Sequence, residues 1–456
     1  MNKVFSLLAC AVLLACGSSS ASKAPSDSAA VDSGTPDAPI ADAATEISAD
    51  IPDSAPQPDA VPLEALEELA AVPDLADVHD TQTEAVDSAA DDALEAEVTV
   101  DIEPELPLTV GAICFPEVYK PGEPGPDYDQ FDLTVADHCH GTNHQTIVAV
   151  EKVVFLGDSV TVGTPNLAHL ISVDNNHFYR NKLATWLAGH FNLDTGNMWD
   201  FGLWKTYDYL TGKGSKWESG DFRHCGYWGA RTDDLVSGGS QIMECFPEGG
   251  STERTLIIFT LGGNDIAKIT ETGAEASLEE VGAGYPAAWA LAESTMQYLE
   301  EGVAWLTDDT NFPFGSYVIF GNGFEFTDAS GQTSACNPQA VLDIPGLGEI
   351  DLNDLGIPVA LLAGYGEWEK PEVQAEIVIW MLEQYMQIAV DYGVDVIWTV
   401  EAFCGHGYVA AGANADPENV CYLGPDSELY FDETCIHPSP AGHNALFEMF
   451  KAVILE

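Results

Sequence analysis

Val153-Val154-Phe155-Leu156 is an uninterrupted apolar run, and Gly157-Asp158-Ser159 follows it at once. Such a run suits a strand buried on both faces, the condition of a parallel sheet covered by helices. A chain leaving that strand delivers its next residues to the carboxyl edge, where open α/β sheets bind and react. Leu256 to Leu261, Tyr317 to Phe320 and Val394 to Val400 are similarly rich in β-branched or aromatic residues. Between the strands, Pro371 to Tyr392 sets Val373, Ile377, Trp380, Met381 and Met386 at helical spacing, after an initiating proline and before Gly393. Tyr179 to His190 reads the same way, and an edge strand is expected near Trp199 to Leu203. Alternating strand and helix predicts an α/β domain with a parallel sheet covered on both faces.

A serine at that edge is a candidate nucleophile if a base lies within hydrogen-bond reach, about 2.6 to 3.2 Å. His437, in Asp432-Glu433-Thr434-Cys435-Ile436-His437-Pro438, is the candidate base. Attack on an ester makes an oxyanion, which needs donors aimed at it. The candidates are the N–H of Ser159, the N–H of Gly229 in Gly226-Tyr227-Trp228-Gly229-Ala230-Arg231-Thr232, and the amide of Asn264 in Gly262-Gly263-Asn264-Asp265.

With these residues the chain resembles the SGNH hydrolases, the GDSL-type esterases and lipases. Gly157-Asp158-Ser159 resembles the first block of that family, Gly229 to Leu235 the second, Gly262 to Asp265 the third, and His437-Pro438 with Gly442-His443 the fifth. The resemblance covers roughly residues 150 to 456. It implies a flavodoxin-like three-layer α/β/α sandwich, a parallel sheet in the order 2-1-3-4-5, and hydrolysis through an acyl-Ser159 intermediate without cofactor or metal. The Gly-x-Ser-x-Gly elbow of the α/β-hydrolases is not present, because Thr161 stands where it needs glycine. Two departures matter. The family's orienting aspartate stands three residues before the histidine, where this chain has Thr434, so Asp432 or a backbone carbonyl is expected to orient His437. The segments Thr206 to His224 and Thr327 to Gly366 are long, and are expected to be inserted loops that set substrate choice.

The chain before residue 150 is organised for export. Lys3, a short apolar stretch and Leu13-Leu14-Ala15-Cys16-Gly17 resemble a bacterial lipoprotein signal, which implies cleavage before Cys16 and lipid attachment to it. Leu7-Leu8-Ala9-Cys10 has the same form after a much shorter apolar segment. Residues 17–110 are made of Ala, Ser, Asp, Glu, Pro and Thr, and cannot bury enough apolar surface to offset their conformational entropy. They read as a disordered acidic tether, followed by a disulfide-bearing lead-in over 111–150 and the catalytic domain over 151–456. The formal net charge is −59, with 15 Lys and Arg against 74 Asp and Glu. Nucleic acid, which demands a basic face, is excluded as a partner. The expected partners are an ester of a lipid, an acetylated sugar or a cell-wall polymer, and a bacterial envelope membrane reached through the anchor. That membrane is expected to be the outer membrane or cell surface, and the chain a monomer.

After Cys16 an even set of eight cysteines remains, so disulfides are expected in an exported chain. Sequence neighbours suggest Cys114 with Cys139, Cys225 with Cys245, and Cys421 with Cys435. His138, His140 and His144 beside Cys139 look like a zinc cluster, but an oxidised cysteine could not serve, and no metal is expected. His406 is read as structural rather than as a second base, and His443 as a residue packed near the site. Asp158 and Asp265 are expected to hold their loops by accepting backbone hydrogen bonds. The Trp and Tyr cluster from Trp199 to Trp228 reads as core packing sooner than as a substrate wall.

These readings converge on an envelope-anchored serine esterase; the competing class is a non-catalytic surface binding protein that retains the fold. Cys16→Ser is expected to leave an unprocessed precursor, or a chain that no longer partitions into detergent with membrane lipoproteins. Recovery of the unaltered chain free in the medium with an unmodified amino terminus would remove the anchor and leave only export.

Overall fold

The computed structural model of the chain describes residues 109–116, 118, 124–163, 176–208, 211–323, 326–332, 335, 341–344, 348–351, 368–412, 415–432 and 434–456. The expected signal peptide, nearly all of the tether and most of the second insertion lie outside the described residues.

A short helix α1 (Val110–Cys114) and a 3-10 turn at Tyr128–Gln130 precede the sheet. Strand β1 (Lys152–Gly157) runs straight into the one-turn helix α2 (Ser159–Val162). Helices α3 (Tyr179–Phe191) and α4 (Met198–Trp204) then lead to the short strands β2 (Tyr207–Asp208), β3 (Lys213–Gly214), β4 (Glu218–Ser219) and β5 (Phe222–His224). Helices α5 (Asp233–Val236) and α6 (Gln241–Cys245) connect to β6 (Thr255–Thr260). From there α7 (Gly263–Ala274), α8 (Leu278–Gly282) and α9 (Pro286–Thr307) lead to β7 (Ser316–Gly321). A hairpin of β8 (Val341–Ile344) and β9 (Gly348–Asp351) comes before α10 (Pro371–Tyr392) and β10 (Asp395–Ile397). The chain ends through α11 (Thr399–Phe403) and α12 (Pro440–Leu455).

The main sheet has the order β10-β7-β6-β1-β5-β4. Five strands are parallel, and β4 folds back antiparallel on β5 at the edge. Counted in chain order, the parallel strands run 2-1-3-4-5, the order the resemblance implies. The second strand, however, is Phe222–His224, whereas Trp199 to Leu203 is helical. Asn197 caps that helix by accepting the Asp200 N–H at 2.8 Å, and Phe201 and Trp204, three residues apart, stack inward on one another. A period of three overrides the aromatic strand propensity of the segment. The expected strand at Val394 also stops early, at Ile397, because Trp398 N–H turns away to bond His140 O.

Successive strand residues point to opposite faces, and here each face meets its own helical layer. Val154, Leu156, Ile257, Phe259, Val318, Phe320 and Val396 form one core with α9 and α10. Val153, Phe155, Leu256, Ile258, Ile319 and Ile397 form the other with α3 and α12. The architecture is thus a three-layer α/β sandwich. Disulfides join Cys114 to Cys139 and Cys225 to Cys245, as sequence proximity suggests. The third suggestion fails: Cys421 is joined to Cys404, and Cys435 is disulfide-bonded elsewhere. Short separation is a weak guide where a folded loop brings a more distant cysteine closer.

Because Ile258 is fully buried in the central β6, Ile258→Ala should destabilise the domain by about 2 to 5 kcal/mol in urea unfolding. Leu278→Ala, at a 79% exposed position, should change stability by less than about 0.5 kcal/mol. Equal effects would mean that the two-layer core is misplaced.

Candidate active site

Gly157 ends β1 with φ at +124°, and a Cβ there would stand 2.5 Å from Thr260 O and 2.6 Å from Thr161 Oγ1. Only glycine fits that junction. The Gln241 side chain grips its peptide groups from outside, accepting Gly157 N–H at 2.6 Å and donating to Gly157 O at 2.9 Å. Asp158 then caps α2, accepting Val160 N–H at 2.9 Å and the Thr260 hydroxyl at 3.2 Å. Its burial raises the carboxyl pKa to about 7. Ser159 is the first residue of α2, so its N–H is one of the first-turn donors that a helix does not itself bond.

The far end of α2 is held by a buried cation. Arg180 donates to Thr161 O at 3.0 Å, Val162 O at 3.2 Å and Trp204 O at 3.1 Å, and its guanidinium lies 4.6 Å from the centre of the Trp204 ring. It is fully buried and in no ion pair among the described residues; desolvation lowers its pKa to about 9. A cation against the last carbonyls of a helix is favourably placed with respect to the helix dipole.

His437 Nε2 lies 2.9 Å from Ser159 Oγ. On the other side of the ring, Nδ1 lies 2.8 Å from Thr434 Oγ1, and that hydroxyl donates to Asp432 Oδ1 at 2.5 Å. Thr434 N–H donates to the same oxygen at 2.9 Å. The single hydroxyl proton of Thr434 is committed to Asp432, so its lone pair takes the Nδ1 proton of His437. The tautomer that follows leaves Nε2 as the acceptor facing Ser159. Of the two expected partners, Asp432 and a backbone carbonyl, Asp432 reaches the ring through a relay in which Thr434, three residues before the histidine, stands between them. The turn explains why: Asp432 N–H bonds His437 O at 2.9 Å and Cys435 N–H bonds Asp432 O at 2.9 Å, a tight loop that brings residue 434 against the ring. Burial lowers the His437 pKa to about 4.

Gly229 and Asn264 come from loops on either side of β1. Gly229 is exposed, with φ at +77°, in a turn closed by Ala230 N–H on Tyr227 O at 3.3 Å. A residue in the third position of such a turn with positive φ favours glycine. Asn264, in the first turn of α7, uses one amide hydrogen on Ala230 O at 2.8 Å, which ties the two loops together. Asp265 beside it is buried, accepts Thr232 N–H and the Thr232 hydroxyl at 3.1 Å each, and is raised to about 7 by burial. The two aspartates hold the loops as expected. Beyond Gly229 the Trp228 indole donates to Gly163 O at 3.2 Å, with Tyr207 packed on Trp228 and Phe178 packed on Tyr207. The aromatic cluster is thus divided: Trp204 is core, and Trp228 with Tyr207 packs beside Gly229.

The remaining candidates make none of these contacts, although His443 is close enough to His437 to feel its charge. His443 is buried and accepts Tyr179 N–H at 3.4 Å. His406 stacks on Tyr430 at 3.7 Å with Nδ1 2.7 Å from Glu428 O. His138 pairs with Glu456 at 2.8 Å, and Cys139 is in a disulfide, which removes its thiolate as a metal ligand. Thr434, Gln241 and Arg180 were not anticipated. The position of Thr434 was a signal; Gln241 and Arg180 gave none.

No protein-family profile matches the chain, and no curated protein sequence is significantly similar to it. Solved structures do align with it. An extracellular lipase from Streptomyces rimosus aligns at 16% identity and a TM-score of 0.36, over 67% of this chain and 100% of the lipase. Phospholipase A1 from Streptomyces albidoflavus aligns at 17% identity and a TM-score of 0.36, over 66% of this chain and 99% of the phospholipase. A gut microbial diltiazem-metabolizing enzyme aligns at 13% identity and a TM-score of 0.35, over 68% of this chain and 49% of the enzyme.

A histidine with its pKa lowered to about 4 is neutral, and able to accept a proton, at all higher pH. If His437 is the base, kcat/KM on a neutral short ester should rise through about pH 4 and stay level to neutrality. Thr434→Val leaves the Nδ1 proton of His437 without this acceptor, and is expected to reduce kcat by about 10- to 100-fold. An acid limb near pH 6.5, or an unimpaired Thr434→Val enzyme, would show that the hydroxyl relay is not the working arrangement.

Proposed function

We propose that this chain is an exported serine ester hydrolase, and the observation that carries the reading is the 2.9 Å contact of Ser159 Oγ with a buried, neutral His437 at the carboxyl end of the central strand. Ser159 Oγ attacks the ester carbonyl carbon while its proton passes to His437 Nε2. The charge that moves to the carbonyl oxygen meets the N–H groups of Ser159 and Gly229 and the second amide hydrogen of Asn264. As the tetrahedral intermediate collapses, His437 gives its proton to the leaving alkoxide and the acyl group remains on Ser159. Water then attacks the acyl carbon as His437 takes one of its protons; on collapse the acyl–Oγ bond breaks, His437 returns that proton to Ser159 Oγ, and the acid leaves and gives its own proton to solvent. Throughout, Thr434 relays the negative charge of Asp432 to the imidazolium. The packed rings of Trp228 and Tyr207 beside Gly229 support an apolar acyl group there, and the lipoprotein-type signal at Cys16 supports a location on the cell envelope.

A fluorophosphonate probe should label the chain at Ser159, and Ser159→Ala should abolish both labelling and turnover of a short activated ester while leaving the circular dichroism spectrum unchanged. Asn264→Ala is expected to lower kcat by about 10² to 10³ with little change in KM. A correctly folded chain that neither reacts with the probe nor turns over any ester in a panel graded by acyl length would be a binding protein on this fold.

A further inference from the structure

Asp328, 1% exposed, stands at the root of the second long segment, and its carboxylate gathers a whole loop. Oδ1 accepts the N–H of Gly405 at 3.0 Å and of Gly407 at 2.9 Å, and Oδ2 accepts that of Val409 at 3.0 Å and of Ala410 at 2.8 Å. Residues 405–410 belong to no helix or strand, so the carboxylate supplies the acceptors that regular structure would provide. Two glycines admit this close approach. Gly405 has φ at +91°, and a Cβ on Gly407 would stand 2.5 Å from Phe326 O and 2.6 Å from Asp328 Oδ2. Asp328 itself has φ at +50°, a conformation that few residues other than glycine adopt and that persists where the surroundings hold it. The disulfide from Cys404 to Cys421 closes the loop at its start.

The loop so fixed meets the turn of His437 at two points. His406 O accepts Tyr430 N–H at 2.9 Å, which sets the chain two residues before Asp432. The Tyr408 hydroxyl donates to Asp432 O, the carbonyl that also accepts Cys435 N–H at 2.9 Å. That carbonyl closes the turn in which the Asp432 carboxylate takes the Thr434 hydroxyl at 2.5 Å and Thr434 Oγ1 lies 2.8 Å from His437 Nδ1. We propose that Asp328 and Tyr408 are positioning residues of the site. The Asp328 carboxylate fixes the 405–410 loop, and the tyrosine of that loop holds Asp432 where Thr434 can stand between it and the imidazole. Cys404-Gly405-His406-Gly407 thereby gains a task that its backbone performs. The effect of the two residues on turnover rests on the hydrolase reading; their hold on the His437 ring does not.

A double-mutant cycle in the full chain, with kcat and KM measured on a soluble short ester, tests the assignment. Tyr408→Phe removes one hydroxyl and is expected to lower kcat about tenfold at unchanged KM, because a loosened turn misplaces the proton acceptor and not the substrate. In a chain that already carries Thr434→Val the relay is broken, so adding Tyr408→Phe should cost less than about twofold more; an effect by any other route would repeat in full. Asp328→Asn turns an amide donor toward N–H groups of the loop, and should reproduce the kcat loss and its dependence on Thr434. Tyr408→Phe leaves that carboxylate in place, and decides the question where Asp328→Asn does not fold. Normal kcat in Tyr408→Phe, or equal losses with and without Thr434, would overturn the proposal. If the parent chain hydrolyses no ester, the hydrolase reading fails, and the positioning is read from the Nδ1–H proton resonance of His437. Tyr408→Phe should move that resonance, and an unmoved one would overturn the hold on the ring.

Discussion

Parallel pairing of β1 with β5 on one side and β6 on the other is the constraint from which the proposed site follows. The registers Val153 to Phe222 and Lys152 to Thr255 align the three strands so that each leaves the sheet at the same edge. Neighbouring strands lie about 4.8 Å apart, so the segments after them are side by side before any side chain is placed. Ser159 follows the middle strand, Gly229 one neighbour and Asn264 the other. An antiparallel arrangement would send alternate segments to opposite edges and separate them by the length of a strand.

Holding those segments still takes buried polar groups, and the domain accepts the desolvation this entails. Asp158 and Asp265 are both pushed to about 7 by burial, yet each accepts donors from the strand or loop opposite. Arg180 does the complementary task from beneath α2, satisfied by carbonyls and an indole face in place of a carboxylate. Such groups are costly to bury unless satisfied, which restricts the loops to the arrangement that satisfies them.

The imidazole shows what one substitution in a motif does. With a carboxylate in contact, charge would offset burial and raise the His437 pKa; with Thr434 in contact, burial prevails and the ring sits at about 4. Asp432 keeps a link through the hydroxyl, and the direction of that hydroxyl selects the tautomer. Of the two expected partners of the ring, Asp432 or a backbone carbonyl, Asp432 is linked to it through Thr434, because spacing along a chain says which residues are near and the turn decides which of them faces the ring.

The sequence by itself determined four of the five parallel strands, the helices that begin at Tyr179 and Pro371 and the edge at which Ser159 and Asn264 emerge, because apolar periodicity and glycine at strand ends are local properties. It misread Trp199 to Leu203, where aromatic strand propensity concealed a capped helical turn, and it misassigned Cys421, whose partner is chosen by loop packing. Only the tertiary structure decided that Gln241 clamps Gly157, that Arg180 closes α2, and that Thr434 stands between His437 and Asp432. Those contacts join residues from separate elements or depend on one turn's backbone path, and no spacing rule encodes them. They exist because buried donors and acceptors must find partners in three dimensions once the sheet has drawn its loops together.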